Sequence, residues 1–209
     1  TIKPIVALSA LENNVVDTKF KVKCTGKMEL YGQTFHCWKE EGHGWVSLKN
    51  AMKQSCDTYF YEVARLLGVD RLNKTAEKFG LGKKVLGDYF DNEKKGLFPN
   101  TVWKKNNLGK GWVLGETLIT GIGQGYTQTT PLQLCMMTAQ IANGGYAIKP
   151  KIIVDSNPIS YEDAKQSMES GLLFDTDSEE LLDKKLFKNQ KNIKIVQEAM
   201  FASTNERFG

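Results

Sequence analysis

Seven side chains in this sequence have types and spacings that could do chemistry together. Cys24, Cys37, His43 and Cys56 fall within 33 residues, with 12, 5 and 12 residues between successive members. Three thiolates and one imidazole are the donors of a closed tetrahedral zinc site, in which every ligand is protein and no position is left for water. His36 is the competing imidazole, but it adjoins Cys37, and neighbours along a strand point to opposite faces. The spacing matches no short zinc-finger pattern, so a disulfide or simply buried thiols remain alternative readings. The other three residues are Lys3, Ser55 and Asp57. Lys3 heads an apolar helical run, and Ser55-Cys56-Asp57 interrupts a helical stretch. A serine hydroxyl is a weak nucleophile that needs an adjacent base. A lysine serves as that base only when desolvation or positive potential favours its neutral form. Taken singly these are weak signals, since a lysine near a helix start is usually solvated and Ser-Cys-Asp is more often a helix cap. Context has to decide.

The elements that must position them can be read from periodicity. Ile5, Leu8 and Leu11 lie one turn apart behind Thr1-Ile2-Lys3-Pro4. Phe20, Val22 and Cys24 alternate with lysines as a strand does, and Tyr31-Gly32-Gln33 sits between Met28/Leu30 and Phe35/Cys37 as a hairpin would. Phe60, Val63, Ala64 and Leu67 form a helical face that Gly68 ends. A second helix has Asp70 as its expected cap, Leu72, Ala76 and Phe79 as its stripe, and Gly80 as its end. Residues 81–120, rich in Gly, Lys and Asn, read as a long irregular surface region of functional character. Within it Trp103 and Trp112 could face a substrate or anchor the segment. Thr130-Pro131-Leu132-Gln133 is a capping-box helix start, followed by the apolar face Leu134, Met137 and Ile141 and by Gly144-Gly145. Cys135, Met136-Met137, Trp38 and Trp45 are expected to pack rather than to bind. Lys151 to Val154 reads as a strand, 155–180 as a polar loop, and the remainder as two amphipathic helices.

Composition narrows the classes. The 209 residues are 41% apolar and 25% charged, which fits one globular domain or part of one. No run of about 18 apolar residues could span a bilayer, and Thr1 opens no signal peptide. The net charge of +4 is scattered, which excludes a nucleic-acid-binding stripe. Both ends read as cut, so an excerpt is expected.

Three segments taken together carry a resemblance: Lys3 at its helix head, Ser55-Cys56-Asp57-Thr58-Tyr59-Phe60-Tyr61, and Gly123-Gln124-Gly125-Tyr126 leading into Thr130-Pro131-Leu132-Gln133-Leu134. Ser-x-x-Lys and Ser-Asp-Asn elements are working parts of penicillin-binding proteins and serine β-lactamases. In this order they make the chain similar to the penicillin-binding protein 2 family, the class B peptidoglycan transpeptidases of rod-shaped elongation. The likeness runs from Thr1 to about Val154 and, more loosely, along the last helix to Gly209.

The resemblance implies an α+β penicillin-recognising fold, residues 1–209 forming part of its transpeptidase domain and mostly the helical part. It implies that the nucleophilic serine stands immediately before Thr1 and that the Lys-Ser/Thr-Gly strand follows Gly209, so the excerpt alone is expected to be inactive. A helix starting at that serine would put the Lys3 base on the same face and unpaired N–H groups near the oxyanion. Ser55 would relay a proton between Lys3 and the leaving amine. Asp57, in the family's Asn position, would orient its neighbours, although a carboxylate lacks the donors of an amide. The implied reaction is D-Ala-D-Ala transpeptidation of stem peptides, with β-lactams acylating the same serine. The implied partners are a membrane glycan polymerase and elongation-complex proteins. The implied location is the periplasmic face of the bacterial inner membrane, with the anchor upstream. Some members of the family also carry a structural zinc beside the active site, which favours Cys24, Cys37, His43 and Cys56 as ligands of one ion. The rival readings are a D,D-carboxypeptidase or β-lactam receptor on the same fold, or a non-catalytic zinc-stabilised scaffold.

Overall fold

A computed structural model of the chain describes residues 2–87, 91–150 and 185–207. At its centre is α1 (Lys3–Glu12), buried on every face from Lys3 to Leu11. A helix apolar all round can only be a core helix. Its single internal hydroxyl, Ser9, is satisfied by Thr75 Oγ1 at 2.7 Å. Around it pack α2 (Leu48–Lys53), α3 (Asp57–Leu67), α4 (Val69–Lys78) and α8 (Gln190–Asn205), with α6 (Leu114–Gly121) on the far side of α3. α5 (Thr101–Leu108) and α7 (Pro131–Ala142) complete the described helices. The largest fully buried side chains, including Ile5, Leu8, Tyr59, Phe60 and Phe79, fill the space between these helices.

Two short antiparallel ribbons stand beside this helical body. β1 (Lys21–Cys24) pairs with β4 (Gly44–Ser47), and β2 (Lys27–Leu30) with β3 (Gln33–His36). The β2–β3 turn is Tyr31-Gly32, both at positive φ (48° and 78°). That is the primed geometry whose twist suits a two-residue hairpin. Gln33, expected in the turn, instead pairs with Leu30. The mixture of helices and a few strands is α+β, as the family resemblance implies.

Several local expectations are met. Thr130 Oγ1 accepts from Gln133 N–H (3.2 Å) and Gln133 Oε1 from Thr130 N–H (2.9 Å), closing the capping box of α7. Met136, Met137 and Ile141 are buried. Others need correcting. Residues 81–120 are not one irregular region, because α5 and all but the last residue of α6 lie within them. α5 has almost no apolar stripe and is fixed by its ends, with Asn100 Oδ1 accepting from Trp103 N–H (2.7 Å) and Gly109 in the left-handed conformation. Asp70 lies inside α4, and its carboxylate accepts from Thr101 N–H and Oγ1, both at 3.0 Å. It holds a neighbouring helix start instead of capping its own. Cys135 is exposed on α7. Trp38 and Trp45 are 62% and 66% exposed, so neither is a packing residue. The expected strand at Lys151–Val154 and the loop at 155–180 fall outside the described residues. Among the described residues, one helix follows residue 185, and no helix is long and apolar enough to cross a membrane.

Candidate active site

The start of α1 and the junction between α2 and α3 meet at Lys3. Its side chain is 10% exposed. Nζ donates to Ser55 Oγ (2.8 Å), Ser55 O (2.8 Å) and Asp57 Oδ1 (2.7 Å), across 52 to 54 residues of sequence. An ammonium has three protons, and each has an acceptor here. The Phe60 ring lies beneath it, 5.5 Å from Nζ to the centroid, adding a cation–π contact.

The α2–α3 junction is bent to present these acceptors. Ser55 has φ of 52°, a left-handed conformation that residues with a Cβ occupy at a cost. The bend is held from inside by Ser55 N–H to Met52 O (3.2 Å) and Cys56 N–H to Ala51 O (2.9 Å). Asp57 opens α3, and its two oxygens have different tasks. Oδ1 accepts a hydrogen bond from Lys3 Nζ at 2.7 Å, and Oδ2 accepts the main-chain N–H of Trp38 at 3.0 Å. A carboxylate is acceptor-only, which suits a residue that has to meet a donor on each side.

Next to this junction, Cys24 (end of β1), Cys37 (after β3), His43 (before β4) and Cys56 converge, with their ligand atoms all within 4.8 Å of one another. His43 Nδ1 lies 3.5 Å from both Cys24 Sγ and Cys37 Sγ. Tetrahedral zinc with bonds of about 2.3 Å to sulfur and about 2.0–2.1 Å to nitrogen separates S and N by about 3.6 Å. The donor set and its geometry therefore fit the metal. The Cys56 thiol donates to Cys37, which draws Cys37 well below the ordinary thiol range despite burial. Backbone N–H groups of Lys39, Thr58 and Asp57 point at the same sulfur. The same bond, with burial second, pushes Cys56 up. Gly42 permits the crossing: its φ is +80°, and a Cβ there would sit 2.3 Å from Cys24 O. His36 is on the exposed side of β3, away from the cluster, and no disulfide links the thiols. Sequence reasoning thus named a set of four residues that the fold does bring together.

Tyr61 OH donates to His36 O (3.0 Å) and ties the hairpin to α3. Burial, with Asp57 and Cys37 nearby, pushes this hydroxyl up to about 12, so it stays a donor at neutral pH. The other flank is built by α5, α6 and the Gly123-Gln124-Gly125-Tyr126 turn. Gly121 lets α6 rest on α3, since a Cβ there would meet Ala64 Cβ at 2.4 Å.

The chain matches the family described as penicillin binding protein transpeptidase domain over residues 1–207. It belongs to that family. Its sequence is 40% identical over 155 residues to peptidoglycan D,D-transpeptidase MrdA of Acinetobacter baumannii, covering 73% of this chain and 23% of that protein. For MrdA of Escherichia coli K12 the identity is 34% over 168 residues, covering 79% and 26%. The chain thus spans about a quarter of the length of these relatives. Among solved structures it resembles Pseudomonas aeruginosa PBP2 in complex with WCK 5153 (TM-score 0.78, 36% identity, 98% of this chain and 44% of that one). It also resembles Helicobacter pylori PBP2 in complex with MreC (TM-score 0.81, 28% identity, 100% and 35%).

Within this transpeptidase domain, two features escaped the sequence. One is Trp38, whose contacts reach the Ser55 loop. The other is an ion pair in the flank between buried Lys104 and half-buried Glu116: Lys104 Nζ donates to both oxygens of Glu116, at 2.5 and 2.7 Å. The same carboxylate accepts Val113 N–H (3.0 Å) and Tyr126 OH (3.2 Å). Trp103 and Trp112 stand against Tyr126, with ring centroids 5.2 and 6.4 Å away, so both tryptophans anchor this flank. Lys104 and Glu116 lie 12 apart on separate helices, and no local pattern marks them. A cleft of about 330 Å³ is lined by Gln33 and Phe35 of the hairpin and by Glu116, Ile119 and Tyr126 of the flank.

Proposed function

We propose that this chain is the central part of a peptidoglycan D,D-transpeptidase that cross-links stem peptides during cell elongation. The observation that carries this reading is the three-way contact of buried Lys3 Nζ with Ser55 Oγ, Ser55 O and Asp57 Oδ1, in a chain of the penicillin-binding transpeptidase family. The nucleophile in this reading is a serine one helical turn before Lys3. Its Oγ attacks the carbonyl of the penultimate D-alanine and passes its proton to Lys3 in the neutral form. The tetrahedral oxyanion collapses, the C–N bond breaks, and the terminal D-alanine leaves with a proton relayed from Lys3 through Ser55 Oγ. An amine of a neighbouring stem then attacks the ester, returns a proton along the same relay, and frees the serine. β-Lactams stop at the first half, because the cleaved amide stays tethered.

One zinc ion is proposed as held by Cys24, Cys37, His43 and Cys56, with four protein ligands and therefore a structural role. The ion would tie both ribbons to the start of α3. It takes part in no proton transfer. The proposed location is the periplasmic face of the inner membrane, in assembly with a membrane glycan polymerase and elongation proteins. The Helicobacter pylori relative solved with MreC supports a partner of that kind.

The test is covalent labelling of the full-length protein by a fluorescent penicillin. A label lost in the Lys3→Ala protein supports the reading, and absence of any label on the wild-type protein refutes it.

A further inference from the structure

We propose that Trp38 is a positioning residue for acyl transfer, its indole N–H holding the Ser55 loop in the shape that presents Ser55 Oγ to Lys3. The kinetic part of this proposal rests on the transpeptidase reading above.

Trp38 follows Cys37 directly and makes three polar contacts, all at 3.0 Å. Nε1 donates to Gln54 O and to Ser55 O, and the main-chain N–H donates to Asp57 Oδ2. Its ring also meets His43 edge-on, with centroids 5.3 Å apart. The indole is 62% exposed, so burial of apolar area explains little of its placement. An N–H donor shared between two carbonyls explains more.

Those two carbonyls lie on either side of the strained residue. Ser55, at φ 52°, is held on its amide side by its own N–H to Met52 O, and the peptide that follows it is held by Cys56 N–H to Ala51 O. The donors to its carbonyl oxygen are Lys3 Nζ, at 2.8 Å, and Trp38 Nε1, at 3.0 Å. Lys3 has to change protonation state in the proposed reaction, so its hold on Ser55 O cannot stay constant through the cycle. The indole N–H does not titrate. Among the described contacts it is the donor to Ser55 O that keeps its proton, and together with Cys56 N–H to Ala51 O on the same peptide it limits rotation when Lys3 gives up a proton. Because Trp38 also touches His43 and adjoins Cys37, it is a second link, beside Cys56 in the chain itself, between the Cys/His cluster and the reacting groups.

The decisive variant is Trp38→Phe, which keeps a ring against His43 and removes the N–H. In the full-length protein, acylation by a fluorescent penicillin is measured across reagent concentration, alongside thermal midpoint, zinc content and hydrogen exchange at the Ser55 and Cys56 amides. The expected result is a saturating acylation rate lowered about 10- to 100-fold at unchanged half-saturation, thermal midpoint and zinc content, with faster exchange at those two amides. A wild-type acylation rate, or unchanged exchange, overturns the proposal. So does a loss of acylation that only parallels a fall in thermal midpoint or zinc, since that is a structural role. If the wild-type protein is not acylated at all, the transpeptidase reading fails. The exchange measurement still decides whether Trp38 holds the loop.

Discussion

Lys3 Nζ and Ser55 Oγ are 2.8 Å apart at the junction of α1 with the α2–α3 bend, and the lysine side chain is 10% exposed. A base and a hydroxyl this close form one proton path, and no other lysine among the described residues contacts Ser55. Lys3→Ala in the full-length protein should therefore lower penicillin acylation by about 10² to 10⁴-fold, the usual cost of losing a general base. Stopped-flow acylation checks it, and an undiminished rate would remove Lys3 from the mechanism.

Asp57 gives a graded test. Its two oxygens accept from two directions, Lys3 on one side and the Trp38 main chain on the other. Asparagine can accept on one side only and sets a donor against a donor on the other. One charged hydrogen bond contributes about 1.5–3 kcal/mol, so Asp57→Asn should slow acylation by about tenfold or somewhat more. Asp57→Ala, which removes both acceptors, should fall further. An Asn variant as slow as Lys3→Ala would mean that the charge itself is required.

Much of this site was legible because its chemistry is concentrated in a few residue types. Cysteines and a histidine at intervals of 12, 5 and 12 have few other uses, and Ser55-Cys56-Asp57 breaks a helical period. The Tyr31-Gly32 turn and the Thr130 capping box declared themselves for a similar reason, since each rests on short-range backbone chemistry. What stayed hidden depends on tertiary contact. α5 has no apolar stripe and is fixed by its Asn100 cap and by Asp70 of another helix. Trp38 looks like a core residue by type, yet its N–H is its working part. Lys104 is buried only because Glu116 arrives from a different helix to neutralise it.

The Lys104–Glu116 pair predicts a pH dependence of stability. Desolvation acts to raise the Glu116 pKa, but hydrogen bonds from Lys104, Val113 N–H and Tyr126, with the Lys104 charge, outweigh it and hold the carboxyl below its ordinary value. A depressed carboxyl stabilises the fold above its unfolded pKa of about 4.3, and that contribution is lost as pH falls through the folded value. Glu116→Gln should flatten the acid limb of the stability curve below about pH 4.3. Lys104→Met, which leaves the partly solvated carboxylate without its charged partner, should cost about 1.5–3 kcal/mol at neutral pH. Denaturant titrations from pH 3 to 7 measure both. An acid limb identical in wild type and Glu116→Gln would show that the pair adds nothing.

The metal is tested through one ligand and one bystander. Cys56 lies between Ser55 and Asp57, so a tetrahedral ion bound there would brace the catalytic bend and the two ribbons at a single point. Its removal should loosen that bend before it unfolds the α1 core, where fully buried apolar side chains such as Ile5, Leu8 and Phe60 add packing that needs no metal. Purified protein should hold one zinc per chain by elemental analysis. Cys56→Ser should lower zinc content and acylation together, because the serine hydroxyl is a poor zinc donor and sits inside the reacting segment. Cys135→Ser, on the exposed face of α7, should leave both unchanged. The four sulfur and nitrogen atoms also make a thiol trap for oxidation when the ion is absent. Protein that contains no zinc and has Cys24 and Cys37 oxidised to each other would end the metal reading and leave the disulfide in its place.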